Sequence, residues 1–532
     1  MFLRALTFML GLWVSALPLA AQSFDDLLTR LPQGSFSDRA TVVSALAATG
    51  DLRAAAVLDA LGAGELHVRP SDGALLRVTG RGTNLRGTDV LTGDAVEVAP
   101  RSTEAVRVNN SLRRTVRAAM GVLTLRDPDP MRRLNAAEAA FRAPDPEQLE
   151  AIDLALDAED DARVRAALIQ ARATTILRGD APVAERVEAV ETIRERSPRV
   201  VIAALAPYRA DTQPEVAEAA ADAVATAERT LQLWSQAQNV WFGLSLGSVL
   251  LLAAVGLAIT FGVMGVINMA HGELVMLGAY TTFVVQNAIR VHAPHLFDWS
   301  LLIAAPLAFG FAGLVGVAIE RGIVRHLYGR PLETLLATWG VSLILQQAVR
   351  SAFGPNNREV GNPSWMSGAF EIGQLTITWN RLWIVVFALV VFAVLMFVMR
   401  RTPIGLQMRA VTQNRAMAGN MGIRTSWVDA MTFGLGAGIA GLAGVALSQI
   451  DNVSPNLGQN YIVDSFMVVV FGGAGNIWGT LAAAFSLGIV NKFLEPYAGA
   501  VLAKIVILVA IILFIQKRPR GLFAVKGRAV EA

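Results

Sequence analysis

The sequence predicts an all-α, polytopic membrane protein with about eight to nine membrane segments, two of them broken or re-entrant, behind an exported and mostly helical domain. Three observations carry that prediction. Hydrophobic residues make up 54% of the 532, above the usual share of a soluble globular chain. Apolar stretches long enough to cross a bilayer crowd the second half, whereas acidic residues concentrate between residues 25 and 228. Glycine interrupts the apolar pattern twice, around residues 262–272 and 472–479, with polar side chains beside each interruption.

In chain order, residues 1–22 read as a signal segment. Arg4 supplies the positive start, residues 6–19 the apolar stretch, and Ala20 and Ala21 the small-residue cleavage site. The domain that follows, 23–238, is therefore expected outside the membrane, and a retained segment with Arg4 inside places it there equally. The chain has no cysteine, which excludes disulfides and any cysteine-held metal or redox centre. No basic block with interleaved aromatics points to nucleic acid.

Within 23–238, Asp129-Pro130, Asp161-Ala162 and Gln213-Pro214 each open an alanine-rich amphipathic segment, as helix N-termini prefer. Their spacing suggests stacked, HEAT-like helix pairs. Three stretches, 65–69, 74–78 and 95–98, cluster branched residues between turn residues and read as a small β excursion. His67 has no companion histidine nearby and reads as an ordinary strand residue, so no metal site is expected.

The membrane domain, 239–520, is read as spans near 240–263, 271–290, 300–320, 332–352, 382–399, 427–450, 461–475, 478–493 and 500–516. If the first span runs inward, Arg321, Arg325, Arg330, Arg400, Arg401, Arg409, Arg415, Arg424, Lys517 and Arg518 all fall on the inner side. The tail, 521–532, then lies inside too.

Ionisable groups at membrane depth are expensive and usually line a cavity or meet a partner. Paired interrupted helices are a mark of a solute site, because freed backbone donors and acceptors can face it. The first break carries Asn268, His271 and Glu273 around Gly272; the second carries Asp464, Ser465 and Asn476 around Gly472, Gly473 and Gly475. These side chains are the candidate translocation path, and the glycines the candidate gate. A second reading stands for each: Glu273 as an internal partner for His271 or for freed backbone groups, and Asp464 as cap of a half-helix beginning near Ser465. Lys504, alone in the last span, reads as snorkelling or paired.

Residues 400–425 form the loop between the fifth and sixth spans, with a proline start, a short amphipathic helix and a glycine stop. Met408, Val411, Met417 and Met421 are available for contact, which suits docking in another protein's groove. The chain has no Gly-x-x-x-x-Gly-Lys-Ser/Thr phosphate loop. It is expected to hydrolyse no ATP, to have no catalytic residue and to bind no cofactor. A membrane-anchored sensor with an external ligand-binding domain is the competing class, but nine spans with two breaks are excessive for an anchor.

The stretches 267–274, 402–423 and 462–480 resemble the branched-chain amino acid type of ABC-transporter permease, with similarity over essentially all of 240–520. Within that family, the wording of 462–473 and the long exported extension resemble the permeases of urea importers; branched-chain amino acids or short amides are the alternative solutes. The resemblance implies a bacterial inner-membrane importer, with the N-terminal domain periplasmic and the C-terminus cytoplasmic. Its other parts would be a second related permease, two cytoplasmic ATPase subunits that use ATP, and an extracytoplasmic solute-binding protein. It also implies a coupling helix seated in an ATPase subunit, with Arg409, Ala410, Asn414, Ala416, Met417 and Gly422 as its residues.

Overall fold

The structure, a computed structural model, describes residues 24–51, 53–80, 85–99, 102–519 and 521–523. The signal segment expected at 1–22 and most of the tail expected at 521–532 lie outside the described residues. The chain divides into two units, residues 1–231 and 232–532.

The first unit begins with α1 (Phe24–Arg30), α2 (Phe36–Ala48) and α3 (Arg53–Ala63). Ser35 caps α2 in a reciprocal capping box with Asp38. Five short strands follow: β1 (Leu66–Val68), β2 (Leu75–Thr79), β3 (Arg86–Asp89), β4 (Ala95–Val96) and β5 (Glu104–Ala105). They form an antiparallel sheet in the order β4-β3-β2-β1-β5, with Leu66 opposite Arg77 and Leu76 opposite Asp89. The sequence pattern locates β1, β2 and β4 but not β3 or β5. Those two lack branched runs and are held by pairing with their neighbours. His67 sits in β1 with Nδ1 3.2 Å from the Thr103 hydroxyl.

The rest of the unit is helical: α4 (Asn110–Thr124), α5 (Pro130–Arg142), α6 (Leu149–Asp157), α7 (Ala162–Arg178), α8 (Val183–Arg194) and α9 (Pro198–Leu205). Asp129 and Asp161 cap α5 and α7 through the backbone N–H groups of Met131, Arg163 and Val164. A core of Leu168, Ile152, Val190, Leu205 and Val224 holds these helices together. Their lengths run from 8 to 17 residues, and a HEAT-like repeat is not established by their packing. Arg133 pairs with the buried Glu159, donating to its two oxygens at 2.7 and 2.9 Å. That hydrogen bonding holds the Glu159 carboxyl below its usual range.

The division between units falls within α10 (Pro214–Met264). The second unit continues with α11 (His271–His292), α12 (Ser300–Gly322), α13 (Pro331–Phe353), the hairpin β6 (Ala369–Ile372) and β7 (Leu375–Thr378), α14 (Trp379–Arg401), the short α15 (Pro403–Gln413) and α16 (Arg415–Asn420), α17 (Thr425–Leu447), α18 (Leu457–Gly472) and α19 (Ile477–Lys517). Among the described residues, six helical segments are long and apolar enough to cross a membrane, where the sequence predicts nine. Three reasons account for the difference. The helix α13 has the length but carries Thr334, Thr338, Ser342, Gln346, Gln347 and Arg350. With only 16 residues, α18 is short. The last two predicted spans share α19, which is interrupted at Gly499 by non-helical dihedrals (φ 75°, ψ 163°) beside Pro496.

That interruption reverses the chain. A straight 41-residue helix would be about 60 Å long. Instead, the Asn476 amide at its start reaches the Phe523 carbonyl beyond its end at 3.3 Å, and the Phe514 ring lies 5.1 Å from that of Phe471. The two arms of α19 therefore run antiparallel. Small residues set the spacing elsewhere in the unit: Gly256 abuts Gly436, and Gly278 abuts Gly441, so α10 and α11 approach α17 backbone to backbone.

Candidate functional site

The first break occupies residues 265–270, between the end of α10 and the start of α11. The Met269 and Ala270 N–H groups have no helical partner there and must find others. Asn268 Oδ1 accepts from the Ala270 N–H at 3.0 Å, and the Thr338 hydroxyl of α13 accepts from the Met269 N–H at 3.1 Å. One turn along α13, the Ser342 hydroxyl donates to Glu273 Oε1 at 3.0 Å. His271 Nε2 lies 2.8 Å from the Ala253 carbonyl, which fixes Nε2 as the protonated nitrogen. Gly272 is where α11 crosses α18, and a β-carbon there would strike the Gly458 carbonyl.

Asn268, His271 and Glu273 are all buried. Each keeps one polar atom without a hydrogen-bond partner: Asn268 Nδ2, His271 Nδ1 and Glu273 Oε2. One donor and two acceptors within residues 268–273 therefore remain unpaired in an apolar setting, close to the N-terminus of α11. Such an arrangement suits a small polar solute that offers both donors and acceptors. Glu273 does not pair with His271: its partner is Ser342, and that of His271 is backbone.

The α13 residues escaped the sequence reading. Thr334, Thr338, Ser342, Gln346 and Arg350 recur every four positions, which is the visible signal of a polar helical stripe. Gln346 and Arg350 each donate to Asn456 Oδ1 at 3.0 Å, so the stripe runs from the first break to the residue before α18.

The second break differs. Gly473 and Gly475 have φ of 101° and 84°, a left-handed region that favours glycine, and they turn the chain from α18 into α19. Gly472 abuts Gly479, closing the corner. Asn476 caps α19, its Oδ1 accepting from the N–H groups of Trp478 and Gly479 at 3.1 Å. Residues beyond α19 seal the corner, with the Leu522 N–H donating to the Phe471 carbonyl at 2.9 Å. The last turn of α10 meets this corner where Gly262 abuts Gly475.

Asp464 and Ser465 lie inside α18, which begins at Leu457, so the expectation that Asp464 caps a helix starting near Ser465 is corrected. Asp464 instead forms a 2.7 Å ion pair with Lys504 from the second arm of α19, and Ser465 donates to the Tyr461 carbonyl. Asn268, His271 and Glu273 are neighbours in sequence that turn to different elements, the break itself, α10 and α13, whereas Asp464 pairs with Lys504, Ser465 with the Tyr461 carbonyl and Asn476 with the start of α19.

The loop at 400–425 is built as two short helices. Thr402 caps α15; Asn414 caps α16 by accepting from the Met417 N–H at 2.9 Å; Gly422, at φ 88°, ends it. Arg409 donates to the Met399 carbonyl. Met408 and Val411 are buried against Val428 and Leu435 of α17, which corrects the expectation that they are free for contact. Leu406, Met417 and Met421 are the exposed apolar residues, beside Ala410 and the exposed Ala416. Arg415 opens α16 with a bidentate pair to the fully buried Asp429 of α17. Burial, with Asp429 and Glu320 adding to it, pushes the neighbouring Tyr328 phenol up, so it stays a donor.

Residues 239–515 match the family model described as branched-chain amino acid transport system / permease component. The high-affinity branched-chain amino acid transport system permease protein LivH of Escherichia coli (strain K12) is 32% identical over 300 residues, covering 54% of this chain and 94% of that protein. The corresponding protein BraD of Pseudomonas aeruginosa is 29% identical over 299 residues, covering 55% and 96%. The ribose import permease protein RbsC of Escherichia coli (strain K12) is 27% identical over 286 residues, covering 51% and 84%. No solved structure matches.

Proposed function

Because the chain belongs to the family of branched-chain amino acid transport system permease components, we propose that it forms the membrane path of an ATP-driven importer for a small amino-acid-like solute, with branched-chain amino acids as the leading class. The single observation that carries this reading is the first break, where Asn268 Nδ2 and Glu273 Oε2 stay buried and unpartnered beside the N-terminus of α11. A zwitterion finds a carboxylate for its ammonium group, and an amide donor with a helix N-terminus for its carboxylate. An apolar side chain finds Leu274 and Val275 close by. Urea is the second reading, favoured by the likeness of residues 462–473 to urea permeases; its carbonyl and amide groups fit the same two atoms.

Energy comes from partner ATPase subunits that dock on α15 and α16, where Leu406, Met417 and Met421 are exposed apolar residues and Arg400, Arg401 and Arg424 are the neighbouring exposed cations in sequence. A second permease and an extracytoplasmic binding protein complete the assembly in a bacterial inner membrane. The unit at 24–231 lies on the outer face, and Arg321, Arg325, Arg400, Arg401 and Lys517 on the inner. Solute-stimulated ATP hydrolysis by the reconstituted complex, with leucine against urea, tests the solute. Loss of ATPase co-purification on Met417→Asp with Met421→Asp tests the docking.

A further inference from the structure

Two carboxylates lie fully buried beside the docking element. Glu320, near the end of α12, and Asp429, near the start of α17, are each 0% exposed. Sequence position alone gives no reason for either, because both sit at helix ends where a charged side chain ordinarily reaches solvent. The contacts supply the reason. Arg415 Nη1 donates to Asp429 Oδ1 at 3.1 Å while its Nη2 pairs with Oδ2, and the guanidinium stacks 5.1 Å from the Tyr328 ring centroid. The Tyr328 hydroxyl donates to Glu320 Oε1 at 2.9 Å. Arg325 approaches Glu320 Oε2 at 3.6 Å and donates to the Ser426 carbonyl at 3.4 Å. One guanidinium thus ties the first residue of α16 to α17 directly, and to the end of α12 through Tyr328.

Asp429 is the buried end of this pair and Arg415, 45% exposed, the half-exposed one; pairs of buried charge contribute little net stability, and their best-attested use is to fix one register. An Arg fork held on two oxygens and stacked on a ring is the stiffest such joint. Its place is telling: α16 is six residues long, capped by Asn414 and ended by Gly422, and Met417 projects from it, 57% exposed, two positions from Arg415. A push on Met417 therefore reaches the α17 helix through Asp429 and the α12–α13 turn through Tyr328.

We propose that Arg415 is a positioning residue that converts movement of the docked α16 helix into joint movement of α12 and α17, with Asp429, Tyr328 and Glu320 as its receiving side. The proposal rests on the reading of α15 and α16 as the ATPase docking element. Arg415 does not itself need to touch the ATPase: the clamp works on the membrane side of the helix.

The test uses the full chain reconstituted with its partner subunits, with uptake and ATP hydrolysis measured on the same vesicles. In Arg415→Ala the complex assembles and hydrolyses ATP, and solute moved per ATP falls about tenfold, within the usual range of coupling between sites. Arg415→Lys keeps the charge but loses the fork and falls in between. Tyr328→Phe keeps the ring, loses only the Glu320 bond, and gives a smaller loss. Asp429→Asn combined with Arg415→Ala is no worse than Arg415→Ala alone, as expected of two ends of one joint. Unchanged solute per ATP in assembled Arg415→Ala complex overturns the clamp, as does a loss of uptake fully explained by lost assembly in both Arg415→Ala and Tyr328→Phe. A Met417→Cys cross-link to the ATPase subunit separates the two layers. Without it the docking reading fails; with it and normal Arg415→Ala coupling, only the clamp fails.

Discussion

The two glycine-rich breaks look alike in sequence and are built for different tasks. The first lies buried, and its side chains split their hydrogen bonding: Asn268 serves the break's own backbone, His271 the α10 backbone at Ala253 and Glu273 the α13 residue Ser342, while one atom of each stays unpaired. The second is a corner. Asn476 uses its oxygen to cap α19, its amide bonds the Phe523 carbonyl, and Gly473 and Gly475 supply the turn. Nearby Asp464 is neutralised by Lys504. Glycine with polar neighbours therefore marks a broken helix but not its use; what separates the two cases is whether polar atoms are left over once the break has been satisfied.

The largest effect that can break this comparison is steric. Gly272→Val places a branched side chain against the Gly458 carbonyl, where neither backbone can retreat. Membrane insertion of a stable protein should be lost, as read by detergent-solubilised yield; a normal yield would mean that α11 and α18 can separate. Next comes the pair beside the second break. Lys504→Leu leaves Asp464 buried and uncompensated, at about 3 kcal/mol, the low end for a buried pair because Lys504 is half-exposed. Asp464→Leu added to it should restore thermal stability and uptake together. If the double variant is stable but cannot transport, Asp464 belongs to the path after all.

A smaller and more specific effect is expected at Glu273. Glu273→Gln keeps the shape and a contact with Ser342 but replaces the free carboxylate oxygen, and uptake should fall about ten- to a hundredfold with assembly unchanged. Uptake at the original level would make Glu273 a purely structural partner of α13. The smallest effect is at Asn476→Ala, which removes a helix cap at about 1 kcal/mol. Thermal stability should drop slightly, with uptake per assembled complex preserved; a transport defect without a stability change would move the second break to the solute side.

Much of this was legible in the residues. Aspartates at 129 and 161 announce helix starts that the structure caps as expected, and the first break is visible because His271 and Glu273 stand in an apolar run. What was not legible depends on long-range partners. Lys504 and Asp464 meet only because α19 reverses at Gly499, a fold-back that 41 residues of helical pattern conceal. Met408 and Val411 face inward because an amphipathic helix has two candidate faces, and its own sequence does not say which meets the body of the protein. The α13 stripe was present as a four-residue repeat, yet Thr338 and Ser342 acquire meaning only when the first break is placed against them.

The most direct test is ATP hydrolysis by the complete reconstituted complex, stimulated by binding protein loaded with leucine or with urea, for the unmodified chain and for Glu273→Gln. The predicted result is stimulation by leucine that the Glu273→Gln complex loses while its unstimulated hydrolysis persists. Stimulation by urea alone would transfer the site to the second solute. Full stimulation in Glu273→Gln, or none by either solute in the unmodified complex, would contradict the assignment of the first break to the translocation path.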